Sequence, residues 1–131
     1  MAKIEIEIAI VDDDESVREG LSALLRSLGF SVKVFSSGES FLSSNCLRRA
    51  ACLIADVQMP GMTGLELHHL LVASGSAIPT ILITAYVHEK VRAEALNAGV
   101  TYYLSKPIDE NKLLACIHAA LGDEKTDETG S

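Results

Sequence analysis

The chain has 131 residues, 48% of them hydrophobic, which is the length and composition of one globular domain and excludes a disordered chain. Lys and Arg number 11 against 18 Asp and Glu, a formal net charge of -7, and an acidic surface of that kind repels phosphate backbones, excluding direct nucleic-acid binding by this segment alone. No apolar run approaches the ~20 residues that span a bilayer, and the first residues lack the basic start and apolar stretch of a secretory signal.

Ile4, Ile6, Ile8 and Ile10 alternate and Val11 follows, which predicts a strand running into Asp12, Asp13 and Asp14. Val17, Leu21, Leu24, Leu25 and Leu28 recur at helical spacing up to Gly29. Ser31–Phe35 reads as a second strand, and Ser36-Ser37-Gly38-Glu39 as a capping box opening a short helix with Phe41 and Leu42 inward. The stretch Cys46–Ala50, with Arg48 and Arg49, reads as a solvated helix end. Ala51–Ala55 predicts a third strand ending at Asp56, followed by a loop over Gln58–Gly64 carrying Pro60 and Gly61. Thr63-Gly64-Leu65-Glu66 is a second capping box, with Leu67, Leu70 and Leu71 as the inward stripe of its helix. Thr80–Thr84 is the fourth strand; a helix with Val91, Ala95 and Ala98 follows to Gly99. Val100–Leu104 is the fifth strand, Lys106-Pro107 breaks it, and Asp109 opens a last helix with Leu113, Leu114, Ile117 and Leu121. The domain spans residues 1–121, and 122–131 reads as a polar tail or linker.

Five strands alternating with five helices imply a parallel sheet covered on both faces. Ligands in such sheets sit beyond the carboxyl ends of the strands, and those ends carry Asp12 and Asp13, Asp56, Thr84 and Lys106. Like charges ~4 Å apart cost roughly 4 kcal/mol at an effective dielectric of ~20, so crowded carboxylates call for a cation. Mg²⁺ takes oxygen ligands and keeps several waters. Lys106 and Thr84 then supply a charge and a hydroxyl for phosphoryl oxygens, and the matching chemistry is phosphoryl transfer onto a carboxylate.

Ile10-Val11-Asp12-Asp13-Asp14, Ile54 to Gly64, Leu82-Ile83-Thr84-Ala85 and Leu104-Ser105-Lys106-Pro107 together resemble the receiver domain of two-component response regulators. The likeness runs from about Ile4 to Leu121, and Asp12–Leu25 and Gln58–Glu66 are especially similar to FixJ-type regulators. The resemblance implies a flavodoxin-like, doubly wound sheet of order 2-1-3-4-5 with five helices. It implies Asp56 as the phosphoacceptor for a sensor histidine kinase or phosphotransfer protein. Asp12, Asp13, Asp56 and the Gln58 carbonyl would hold Mg²⁺, or Mn²⁺ in its place. Lys106 would pair with the phosphoryl group, joined to Pro107 by a cis bond, and Thr84 and Tyr103 would be the switch residues.

The same resemblance implies a cytoplasmic signalling domain rather than an enzyme, catalysing only its own phosphorylation and dephosphorylation. Its output face would be the fourth predicted helix, fifth strand and last helix, with Val87, Val91, Arg92 and Tyr103 as candidates for homodimer contacts. A DNA-binding output domain would follow. Two other readings stay open: a stand-alone phosphorelay carrier or adaptor, and an aspartyl-nucleophile phosphatase, which would want an acid where Gln58 stands. Cys46, Cys52 and Cys116 form no metal-binding pattern and are expected as free, buried or half-buried thiols. His68, His69, His88 and His118 lack ligand spacing and are expected at the surface or its boundary.

Overall fold

The computed structural model describes residues 6–122. Strand β1 (Glu7–Val11) is buried at every position after its first residue, and it hands the chain through Asp12 and Asp13 to α1 (Glu15–Ser27). Asp14 caps α1, its carboxylate accepting from the Ser16 amide at 2.9 Å and the Ser16 hydroxyl at 2.8 Å. The remaining elements are β2 (Ser31–Phe35), α2 (Gly38–Leu42), α3 (Cys46–Arg49), β3 (Cys52–Asp56), α4 (Gly64–Ala73), β4 (Thr80–Thr84), α5 (Glu89–Asn97), β5 (Tyr102–Ser105) and α6 (Glu110–Ala120). All strand pairs are parallel, in the order β2-β1-β3-β4-β5, which is the expected doubly wound arrangement.

Strand alternation sorts the core into two layers. Ile8, Ile10, Ile54, Ile81 and Ile83 face Leu21 and Leu25 of α1 and Leu113 and Ile117 of α6. Ala9, Val11, Leu53, Ala55 and Leu82 face Phe41, Leu67, Leu71 and Ala95 on the other side. Strands β3 and β4 are buried throughout, as continuous apolar runs in a sheet covered on both faces should be.

Four local expectations change. Six helices are present among the described residues, not five, because the second predicted helix breaks after Leu42. There the Ser43 hydroxyl donates to the Glu39 carbonyl, and the Ser44 hydroxyl donates to the Phe41 carbonyl while the Cys46 amide donates to it in turn. The same two carbonyls also accept from the Ser43 and Ser44 amides, at 3.1 and 3.0 Å, so the side-chain hydroxyls compete with the ladder where it ends. The cap of α2 is Ser37 bonded to the Ser40 amide, one residue beyond the expected Ser36–Glu39 box. By contrast, both halves of the Thr63–Glu66 capping box form. The fifth strand starts two residues late, because the Val100 amide is drawn back to Ala95 O at 3.0 Å to close α5. That closure needs Gly99 at φ +97, as Gly29 at φ +97 serves α1. On α4 the buried stripe is Leu65, Leu67, His68 and Leu71, while Leu70 is 47% exposed.

His68 therefore leaves the surface where it was expected. It is 3% exposed, with Nε2 2.9 Å from Ala98 O and Nδ1 3.4 Å from Thr80 Oγ1. The three cysteines are free and buried, and burial pushes the Cys52 thiol up to about 12. The start of the first strand at Ile4 and the tail 123–131 lie outside the described residues. Among the described residues no helix is long and apolar enough to cross a membrane.

Candidate functional site

The sheet register brings the strand ends to one level. Val11 pairs with Ala55, Asp56 with Ile83, and Thr84 with Ser105, so Asp12, Asp56, Thr84 and Lys106 share one rim. Asp12 continues the face of Ile10, Asp56 that of Ile54, and Lys106 that of Leu104. Thr84 continues the opposite face, that of Leu82, whose register partner on β5 is Tyr103. The rim thus has a charged side, toward α1 and α6, and a hydroxyl side, toward α4 and α5.

On the charged side, Asp12, Asp13 and Asp56 each offer a carboxylate oxygen within 4.8 Å of the others. Asp12 is fully buried and Asp56 is 5% exposed, whereas Asp13 is exposed. The Lys106 ammonium lies 3.1 Å from Asp12 Oδ2 and 3.4 Å from Asp56 Oδ2. Asp12 Oδ1 accepts from the Asp14 amide at 2.9 Å, and Asp56 Oδ1 from the Gln58 amide at 3.2 Å. Burial, and after it the charge of Asp12, pushes the Asp56 carboxyl above its ordinary value, against the pull of Lys106. Burial alone would lower Lys106, but its pairs with Asp12 and Asp56 outweigh that and hold it above its ordinary value. One ammonium therefore faces two buried carboxylates, and a third stands beside them. Hard oxygen donors in negative excess are what a divalent cation of the Mg²⁺ type requires, so the residues present fit such an ion.

On the hydroxyl side, Thr84 is fully buried and its Oγ1 donates to Tyr86 O at 2.9 Å and accepts from the Tyr86 amide at 3.1 Å. Its hydroxyl is turned into the loop after β4 rather than left free. Tyr103 is half-buried against the same core layer as Val91, and its buried hydroxyl makes no well-formed hydrogen bond. Burial raises its phenol, with the nearby backbone of His88 acting the other way. Lys106-Pro107 is cis, as expected. The sequence puts Asp12, Asp13, Asp56, Thr84 and Lys106 on one rim; the structure gathers Asp12, Asp13, Asp56 and Lys106 into one cluster, while the Thr84 hydroxyl lies on the other side of the rim, bonded to Tyr86, with Tyr103 packed on that same side.

Two backbone features beside the cluster escaped that reading. Gly64 opens α4 so close to β3 that a Cβ there would collide with the Asp56 carbonyl oxygen and lie 3.0 Å from Leu82 Cδ2. Arg18 reaches back from α1 to donate to Asp12 O at 2.8 Å. Its position one turn after the capping Asp14 was the available signal, since that spacing returns a long side chain to the helix start.

The profile of the response regulator receiver domain matches residues 8–118. This chain belongs to that family. It is therefore the receiver domain of a two-component response regulator, a signalling domain. It is 42% identical over 114 residues to the response regulator TodT of Pseudomonas putida, covering 87% of this chain and 50% of that protein. It is 35% identical over 117 residues to the transcriptional regulatory protein FixJ of Azorhizobium caulinodans, covering 89% of this chain and 56% of FixJ. The chain spans about half the length of these curated relatives. Among solved structures, the FixJ N-terminal fragment superposes with a TM-score of 0.82 at 33% identity, covering 92% of this chain and 96% of that one. The response regulator StyR superposes with a TM-score of 0.84 at 38% identity, covering 97% and 64%.

Proposed function

We propose that Asp56 accepts a phosphoryl group from a phosphohistidine of a sensor kinase or phosphotransfer protein, or from a small acyl phosphate. The observation that carries this reading is the cluster of Asp12, Asp13 and Asp56 around the Lys106 ammonium. A carboxylate oxygen of Asp56 attacks phosphorus, an O–P bond forms, and the donor's bond to phosphorus breaks with its electron pair leaving on the donor. Asp12, Asp13, Asp56 and the Gln58 carbonyl would hold Mg²⁺ or Mn²⁺, which when bound neutralises charge on the transferring group. Lys106 exchanges its carboxylate partners for a phosphoryl oxygen. Thr84 releases Tyr86 and turns its hydroxyl to the same group, and Tyr103, on the same side of the sheet, follows it inward.

The domain's output face is then α5, β5 and α6, where Val87 is 47% exposed and Arg92 pairs with Glu89 at 3.5 Å. Phosphorylation drives homodimerisation through that face, and the domain works in the cytoplasm. Its boundary falls after Leu121, with a linker beyond it. A DNA-binding output domain in a longer protein is supported by the span of the relatives, among them a transcriptional regulator. A phosphatase turning over external substrates is disfavoured by Gln58, which stands where a second acid would be needed.

Incubation with Mg²⁺ and acetyl phosphate or beryllofluoride, followed by intact mass and size analysis, tests this. A mass gain of one phosphoryl group in the acetyl phosphate reaction, lost in Asp56→Asn, is expected. A stoichiometric acyl phosphate in Asp56→Asn would refute the assignment.

A further inference from the structure

We propose that Arg18 is a positioning residue for the divalent-cation site, setting the direction of Asp13; this rests on the reading that the aspartate cluster binds such a cation. In a parallel ladder a residue presents its N–H and its C=O to the same neighbour. The Asp12 amide donates to Phe35 O at 3.1 Å, so the Asp12 carbonyl also faces β2. Strand β2, however, ends at Phe35, and Ser37 already caps α2. The Arg18 guanidinium fills the place that the missing strand residue would have taken, donating to Asp12 O at 2.8 Å.

That carbonyl belongs to the peptide plane joining Asp12 to Asp13. The Asp12 side chain is held separately, by the Asp14 amide and by Lys106. Asp13 has no such anchorage. It is exposed, and among the described residues nothing hydrogen-bonds its carboxylate. Its aim into the cluster is therefore inherited from the backbone that Arg18 clamps. Partners behind the ligands commonly govern metal affinity in this way.

Arg18 is also a cation, and its charge alone would oppose a second cation. The two effects have opposite signs, so affinity decides between them. Isothermal titration of the full chain with MgCl₂, together with melting in Mg²⁺-free buffer, should be run on wild type, Arg18→Ala, Arg18→Gln and Arg18→Lys. Arg18→Ala is expected to weaken Mg²⁺ binding by about tenfold, with Arg18→Lys recovering most of the loss and Arg18→Gln falling between. Unchanged or tighter binding in a folded Arg18→Ala, with only the melting temperature lowered, would overturn the proposal while leaving the cation site standing. If Arg18→Ala does not fold, an Arg18→Gln that binds as tightly as wild type does the same. Failure of wild type itself to bind Mg²⁺ would overturn the site and this inference together.

Discussion

The ammonium of Lys106 sits 3.1 Å from Asp12 Oδ2, a fully buried oxygen with no hydrogen bond of its own. It is nearer to Asp12 than to Asp56, at 3.4 Å, so in this state the lysine serves the carboxylate that is more deeply enclosed.

Removing that charge should be costly. Lys106→Met leaves two buried carboxylates facing each other, and breaking such a pair costs about 3 kcal/mol. Urea denaturation at neutral pH should show a loss of that size, with Mg²⁺ restoring part of it. Because Lys106 is held above its ordinary 10.5, its contribution is complete below that value. It disappears only as pH rises through the higher folded value. The gap between wild type and Lys106→Met should accordingly persist to the alkaline limit of the measurement.

Asp56 titrates in the opposite sense. Its carboxyl lies above its ordinary 3.8 in the folded chain, so the native state binds the proton more readily than the unfolded one. The penalty for ionising it is absent below the unfolded value, grows as pH rises, and is complete above the folded value. In Mg²⁺-free buffer at pH 7, Asp56→Asn should melt above wild type by a few degrees, since about 1 kcal/mol moves a domain of this size by ~4 °C. The difference should shrink as pH is lowered toward 4, which paired melting curves will show.

Gly64 and Gly20 make a matched test of the backbone. A Cβ at Gly64 meets the carbonyl of Asp56, whereas one at Gly20 on α1 meets nothing within 4 Å. Gly64→Ala should destabilise by about 2 kcal/mol and slow phosphorylation by shifting β3. Gly20→Ala should stabilise by about 0.8 kcal/mol through helix propensity alone. Equal effects in chemical denaturation would contradict the close approach of α4 to β3.

His68 ties α4 to the end of α5 through Ala98 O. His68→Ala leaves that carbonyl without its imidazole partner and opens a cavity, so a loss of about 2–3 kcal/mol is expected in urea. Acyl phosphate should still form, because the imidazole is no part of the aspartate cluster.

Most of the sheet was legible because alternation in Ile8–Val11 and the unbroken apolar runs of β3 and β4 admit few other readings. The charged rim was legible because strand ends fix where Asp12, Asp56 and Lys106 must fall. What escaped depends on contacts distant in sequence or on competition within a turn. Leu70 and His68 are two residues apart on one helix, and hydrophobicity alone assigns the leucine inward. The stripe through Gly64, Leu67 and Leu71 instead takes the histidine, whose ring nitrogens find Thr80 and Ala98. The break after Leu42 turns on which acceptors the Ser43 and Ser44 hydroxyls choose. For Arg18 the spacing from Asp14 shows only that the side chain returns to the helix start; its partner is set by where β2 stops, a fact of pairing rather than of composition.

Strands β3 and β4 bury every residue they contain. Such close-packed interiors deform little, so the middle of the sheet acts as a stiff plate beneath the rim. Strain arriving at Asp56 has nowhere to spread sideways within that plate. Under the proposed phosphorylation of Asp56, that plate would leave the exposed loop residues Tyr86 and Val87, which lead into α5, as the margin through which a local charge event is felt.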